Sequence, residues 1–400
     1  MREMTKNTRG KSFFAFIAAV LIFLFMDPYF MWNLGKSTPI YAVFGVFLLF
    51  IFSSNTDIKT KGRGPLFLLF SILLFLSVFY ENLNLFGALG TLCLLFVPFA
   101  KLDFAKKIFD YFLTIYSVYI GISGIIWILS LIGIVNPIGL INPLNEIKPY
   151  NYNVYPFLVR PDTYYPLERF CGPFDEPGVI GTISALILTV GRFNLRNKRL
   201  LIVFVTGILS MSFFYYGIIA VYYSIFTLTI SKNKKSGLLV MLLLALAVTV
   251  LLNNELFYEN LWSRFIWDED AGGFAGDDRS SGQARVLVER YKGSFEFFLG
   301  AGKSDEFIRT TRGEASLLNT VVQFGLIYVV NYVLVFAVYG WNYKKNIITY
   351  ILFLFVFIGC IYQRPFLFEP EFIFLFSLMA MSCGELFADN KERDSSPILT

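Results

Sequence analysis

Apolar residues recur along this chain in long uninterrupted blocks, separated by short polar or charged connectors, and that pattern extends over almost its whole length. A helix needs roughly 17–25 residues to cross a bilayer. The blocks predict crossings at 13–32, 38–54, 65–80, 83–100, 108–135, 179–193, 237–252, 316–339, 346–362 and 366–387. A further span, 199–230, has room for one tilted helix or two short ones. Basic clusters flank it on both sides, at Arg192, Arg196, Lys198 and Arg199 and again at Lys232, Lys234 and Lys235. Short loops rich in Lys and Arg stay cytoplasmic. The span is therefore expected to go out and back, turning near Ser210, Met211 and Ser212. The count becomes twelve crossings with both termini inside: an all-α polytopic integral membrane protein. It is read as a single transmembrane domain over 1–388, followed by a disordered cytoplasmic tail at 389–400.

Two connectors are long, 136–177 and 253–315, and this topology puts both on the outer face. The first is rich in Asn, Pro and Tyr and is expected to be an ordered, aromatic-lined irregular segment. In the second, Leu287, Tyr291, Phe295 and Phe298 alternate with Arg285, Glu289, Lys292 and Glu296 at helical spacing. That predicts an amphipathic helix lying at the membrane surface.

Composition agrees. The chain of 400 residues is 56% hydrophobic and 16% charged, with 46 Phe. It has no His, which removes His-based zinc sites, Ser-His-Asp triads and imidazole proton shuttles. No cofactor and no metal are expected. An acidic run around Asp268 and Asp277 lacks calcium-loop spacing. Nothing points to nucleic acid. The four Cys are not expected to form a disulfide. The net charge of +5 matters less than how the charges sort. Outside, nine Arg (160, 169, 264, 279, 285, 290, 309, 312, 364) accompany four Lys; inside, seven Arg accompany fourteen Lys. The orientation rule does not distinguish the two cations. A guanidinium that forks onto phosphate or carboxylate oxygens does.

Residues 169–178, Arg-Phe-Cys-Gly-Pro-Phe-Asp-Glu-Pro-Gly, concentrate charge and turn residues directly before an apolar span. Pro177 suits a first helical position. Glu176 is then either a cap or a reactive carboxylate. Arg364-Pro365, near Glu369 and Glu371, reads as an ion pair at an outer turn.

The Arg-Phe-x-Gly-x-Phe-x-Glu-Pro element resembles bacterial O-antigen polymerases of the Wzy type, within the wider O-antigen ligase and polymerase group. The order of parts is similar too: Ser-Ser-Gly-Gln-Ala-Arg at 280–285, Phe-Leu-Gly-Ala-Gly at 298–302, Glu-Ala-Ser-Leu-Leu-Asn at 314–319 and Gln-Phe-Gly-Leu at 323–326. Ligases characteristically carry a His near the position of Glu314, so the chain looks more like a polymerase. It also departs from the group at Ser212-Phe-Phe-Tyr-Tyr-Gly217, where relatives often have Ser-Arg-Gly-Ala.

The resemblance implies a C-type glycosyltransferase of the bacterial inner membrane, with its active site at the periplasmic face. It would join oligosaccharide repeat units carried on undecaprenyl pyrophosphate, drawing donor and acceptor from the bilayer. A membrane protein that regulates chain length is a candidate partner. The alternatives are a ligase passing glycan to lipid A-core and, from a different class, a flippase for lipid-linked oligosaccharide. Arg169 and Arg285 are the first candidates for binding pyrophosphate, with Arg264, Arg279, Arg312 and Arg160 behind them. Glu176 and Glu314 are the candidate bases, because Arg does not deprotonate at accessible pH.

Overall fold

The computed structural model describes residues 2–34, 39–56, 96–142, 151–162, 168–229, 282–302, 317–365 and 369–383, with isolated positions between these stretches. The protein is mostly helical. In chain order, α1 (Arg2–Phe25) runs into a 3-10 turn (Tyr29–Leu34), then α2 (Pro39–Ser53) and α3 (Leu102–Leu131). Three short strands follow, β1 (Gly139–Ile141), β2 (Tyr152–Tyr155) and β3 (Leu158–Pro161). Next come α4 (Pro177–Val190), α5 (Lys198–Leu209), α6 (Phe213–Ile218), a π turn (Ile219–Tyr223) and α7 (Ser224–Thr229). The remainder comprises a two-stranded antiparallel pair, β4 (Trp267–Asp268) with β5 (Gly273–Phe274), then α8 (Gly282–Tyr291), α9 (Phe295–Leu299), α10 (Leu317–Phe324), α11 (Leu326–Tyr343), α12 (Ile347–Gln363) and α13 (Pro370–Ser382).

Among the described residues, two helices are long and apolar enough to cross a membrane, α3 and α11. Six apolar stretches of 10–17 residues accompany them, including α2, α4, α12 and α13. The expected crossings at 65–80, 83–100 and 237–252 fall mainly outside the described residues, as do the expected tail at 389–400 and most of the segment between 253 and 281.

The bundle is built around α4 and α13. Every residue of α4 from Ile180 to Val190 is buried, and all 13 residues of α13 are. Neither helix has a polar face to turn outwards, because 179–191 and 372–382 contain no charged residue. Aromatic packing fills the space around α13: Phe357 and Phe376 stack edge to face at 4.9 Å, and Phe336 lies 5.1 Å from Phe357.

The two ends of the bundle differ in chemistry. At one, Arg192 donates to the carbonyl of Ser382 at 2.7 Å, while Arg199 forks onto the Asp110 carboxylate and the Thr114 hydroxyl, each at 2.7 Å. Lys344 and Lys345 lie at this end too, the Lys345 N–H donating to the Cys383 carbonyl at 3.2 Å. The opposite end, called here the loop end, gathers the C-terminus of α1, the N-termini of α2, α4 and α13, and the C-termini of α3, α5 and α12. The span 199–230 does break where the charge argument puts the turn: α5 stops at Leu209, Met211 takes a positive φ of 48°, and α6 starts at Phe213.

The first long connector is more regular than its composition suggests. β1, β2 and β3 form an antiparallel sheet in that order, with Leu140 opposite Asn153 and Tyr155 opposite Leu158. The β2–β3 turn places Pro156 first and Phe157 second at φ 66°. This is the pattern of a type II turn. Phe157 is not Gly, so its left-handed backbone needs outside support. α3 supplies it: the Ser123 hydroxyl donates to the Phe157 carbonyl at 2.6 Å, and Tyr119 packs against the Phe157 ring.

Candidate functional site at the loop end

Residues 169–178 are held from every side by neighbours distant in sequence. The Tyr29 N–H donates to the Pro173 carbonyl at 2.8 Å, and the Val159 N–H to the Gly172 carbonyl at 2.9 Å. The Tyr152 hydroxyl reaches the Asp175 carbonyl at 2.7 Å, and the Phe170 N–H reaches the Leu209 carbonyl at 3.1 Å. Phe170 and Phe174 are buried, the first against Trp127. Gly172 sits at φ 58°, beside Ile180 and the Phe170 ring, where a side chain would be both strained and crowded.

Arg169 donates through Nε to the Ser210 carbonyl at 3.2 Å and through Nη2 to the Met211 carbonyl at 3.1 Å. These carbonyls end α5, where a cation is favoured by the helix dipole. The guanidinium therefore locks the loop to the α5–α6 turn. Arg160 has a comparable bracing role. It pairs with Glu168, donates to the Ser130 hydroxyl at 2.9 Å and lies 5.5 Å from the centre of the Tyr155 ring. The hairpin is thereby tied to the end of α3.

Glu176 occupies the N-cap position of α4, with φ −137° and ψ 137°, and Pro177 follows at the first helical position. Its side chain makes no capping hydrogen bond. The carboxylate instead forms an ion pair with Arg364, at the end of α12 and 188 residues away. Arg364 is 5% exposed, whereas the Glu176 side chain is 32% exposed. A β-carbon on Gly178 would lie 2.5 Å from Arg364 Nη2, so the guanidinium lies directly on the first turn of α4.

Other polar groups share this end. Asp27 leaves α1 at φ 57° and accepts a hydrogen bond from the Tyr41 hydroxyl at 2.7 Å. Glu369 and Glu371 lie within electrostatic reach of that hydroxyl. Glu369 is the N-cap residue of α13, and Glu371, 3% exposed, sits in its first turn. Both central helices thus open on Glu-Pro, at 176–177 and at 369–370, with their N-termini at the same end.

The structure gathers three of the residues singled out from sequence, Arg160, Arg169 and Glu176, at the loop end. It also pairs Arg364, expected from sequence to form an ion pair at an outer turn near Glu369 and Glu371, with Glu176. The signal that could have found this is the repeated Glu-Pro, which marks two helix starts that must lie near each other if the helices run parallel. Arg285 lies in α8, but its side chain is outside the described residues, as are Arg264, Arg279, Arg312 and Glu314.

One side of α8 packs against the chain that follows it. Val288 and Tyr291 pack with Ala301 against Val322 of α10. The helical spacing from Leu287 to Phe298 is interrupted at Gly293, φ 82°, after which Ser294 caps α9 by accepting from the Phe297 N–H at 3.2 Å. The Glu296 carboxyl is held below its usual range by its own backbone N–H and by Ser294. The segments 298–302 and 323–326 meet directly. Ala301 and Gly302 donate to the Val322 and Gln323 carbonyls at 2.8 and 3.1 Å, and Gly300 crosses the backbone at Gly325.

Among the described residues, no group of three or more Cys, Asp or Glu is placed to hold a metal ion. No family model, no curated protein and no solved structure matches this chain.

Proposed function

We propose that this chain is a polytopic glycosyltransferase of the bacterial inner membrane, with about twelve crossings. On this reading it polymerises repeat units carried on undecaprenyl pyrophosphate, at the periplasmic face. The two apolar helices α3 and α11 support membrane association. Basic residues at the end opposite the loops fit a cytoplasmic side there.

The observation that carries the reading is the placement of Glu176. It is a half-exposed carboxylate fixed at the opening of a core helix, inside the one element that most resembles O-antigen polymerases. In the reaction, an acceptor sugar hydroxyl attacks the donor's anomeric carbon. The bond from that carbon to the pyrophosphate oxygen breaks, and the lipid pyrophosphate leaves with the electron pair. Glu176 takes the hydroxyl proton, with Glu314 as the other candidate. Arg169 and Arg285, with Arg264, Arg279, Arg312 and Arg160, supply positive charge where the leaving group's charge grows. Arg169 does so from a position fixed by the Ser210 and Met211 carbonyls.

A transporter of lipid-linked oligosaccharide is the second reading. It is favoured by the near-complete burial of Arg364 and Glu371 within a helical bundle, since ionisable groups inside membrane proteins commonly line transport paths. One assay separates the two. Purified full-length protein in detergent is supplied with lipid-linked repeat units extracted from a strain lacking the gene. A polymer ladder is expected. Translocation of the same lipids across vesicles without any new glycosidic bond would replace the polymerase by the transporter. A ligase differs in the cell: its loss leaves a bare lipopolysaccharide core, whereas loss of a polymerase leaves a core bearing a single repeat unit.

A further inference from the structure

We propose that Arg364 is the positioning residue for the Glu176 carboxylate, so that the α12–α13 turn sets the geometry of a base carried by the first long loop. This rests on the glycosyltransferase reading.

The pair is asymmetric. Arg364 is 5% exposed and Glu176 32%. The carboxylate is the member a sugar hydroxyl can reach, and the guanidinium is the member it cannot. Glu176 also has the backbone of an N-cap without the side-chain bond of one. Its side chain is diverted from the ordinary structural task of a residue at that position.

The site is shaped to hold the guanidinium there. Gly178 leaves the space that Arg364 Nη2 fills, and a β-carbon would approach that atom to 2.5 Å. A cation at a helix N-terminus opposes the helix dipole. The Glu176 carboxylate beside it offsets that cost, so the two charges sit at the helix start as a pair. The ion pair with a nearly buried guanidinium holds the Glu176 carboxylate oxygens in one orientation.

In the step, the acceptor O–H proton passes to Glu176 as the new glycosidic bond forms and the pyrophosphate departs. Arg364 neither gives nor takes a proton. It holds the receiving oxygens in line, and a displacement of about 1 Å costs on the order of 100-fold in rate.

The test uses initial rates of ladder formation by the purified full-length protein, with the extracted lipid-linked repeat units as substrate. Glu176→Gln should lower kcat by at least about 100-fold, the usual contribution of a general base. Arg364→Met should lower kcat by roughly tenfold or more while KM stays within about twofold, because positioning acts on the reacting geometry and not on substrate binding. Arg364→Lys should recover a large part of that loss. The double variant Glu176→Gln, Arg364→Met should be no slower than Glu176→Gln alone, since Arg364 acts only through the carboxylate.

A multiplicative loss in the double variant, or an unchanged kcat in Arg364→Met, would overturn the proposal. Should Arg364→Met fail to fold, Gly178→Ala carries the comparison: it crowds the guanidinium while keeping both charges. It should lower kcat at constant KM, and a wild-type kcat there overturns the proposal as well. Absence of any ladder from the unaltered protein is a separate outcome, which removes the glycosyltransferase reading itself.

Discussion

Gly181 of α4 and Ser212 of the α5–α6 turn touch so closely that a β-carbon on the glycine would lie 2.2 Å from Ser212 Cβ. Ser210 Oγ would be 2.9 Å from the same point. Gly181→Ala should therefore push the turn away from the core helix. A loss of about 1–3 kcal/mol is expected from overpacking. Thermal unfolding in detergent measures it. Ser212→Gly in the same chain should return most of the loss, because it removes the atoms that collide. A double variant no better than Gly181→Ala would place the strain elsewhere.

The crossing of Gly300 and Gly325 makes a second prediction. Gly325 has φ 89°, and a β-carbon there would meet the Leu299 carbonyl carbon at 2.4 Å and the Phe298 oxygen at 2.5 Å. Backbone cannot swing aside as a side chain can. Gly325→Ala should cost more than about 1 kcal/mol through the unsuitable φ alone, with the collision added. Gly300→Ala, at φ 106° against the Gln323 oxygen, should behave alike. Both are checked by yield of monodisperse protein and by unfolding midpoint.

Tyr152 fastens the loop through its hydroxyl. Tyr152→Phe deletes one part-buried hydrogen bond to the Asp175 carbonyl and leaves the ring in place against Trp32. Roughly 1 kcal/mol is the expected cost. Hydrogen exchange should show faster amides in 171–176 and no change in α13.

Arg169→Lys retains a positive charge but cannot fork onto two carbonyls. A loss of about 1.5–3 kcal/mol is expected for the charged hydrogen bonds given up. Limited proteolysis should then cut near 210–212, a site protected in the unaltered protein. If the turn stays protected and only ladder formation suffers, Arg169 acts on substrate and not on the turn.

Several of these features could be read from residue order. The turn at 210–212 follows from basic clusters on both flanks, a signal local to a few dozen residues. The start of α4 follows from Pro177. Other features were hidden because their cause lies far away in sequence. Nothing near Arg364 names Glu176 as its partner, since 188 residues separate them. The break between α10 and α11 at Gly325 sits inside an apolar run that reads as one crossing, and it exists because another backbone passes there. β2 and β3 are not legible in residue order because Asn, Pro and Tyr dominate their surroundings, while the turn that pairs them depends on support from α3.

The burial of α13 on all sides has a consequence for biogenesis. Residues 370–382 leave the ribosome after every other described helix, yet they fill the slot beside α4. Until they arrive, α4 has an unmet apolar side.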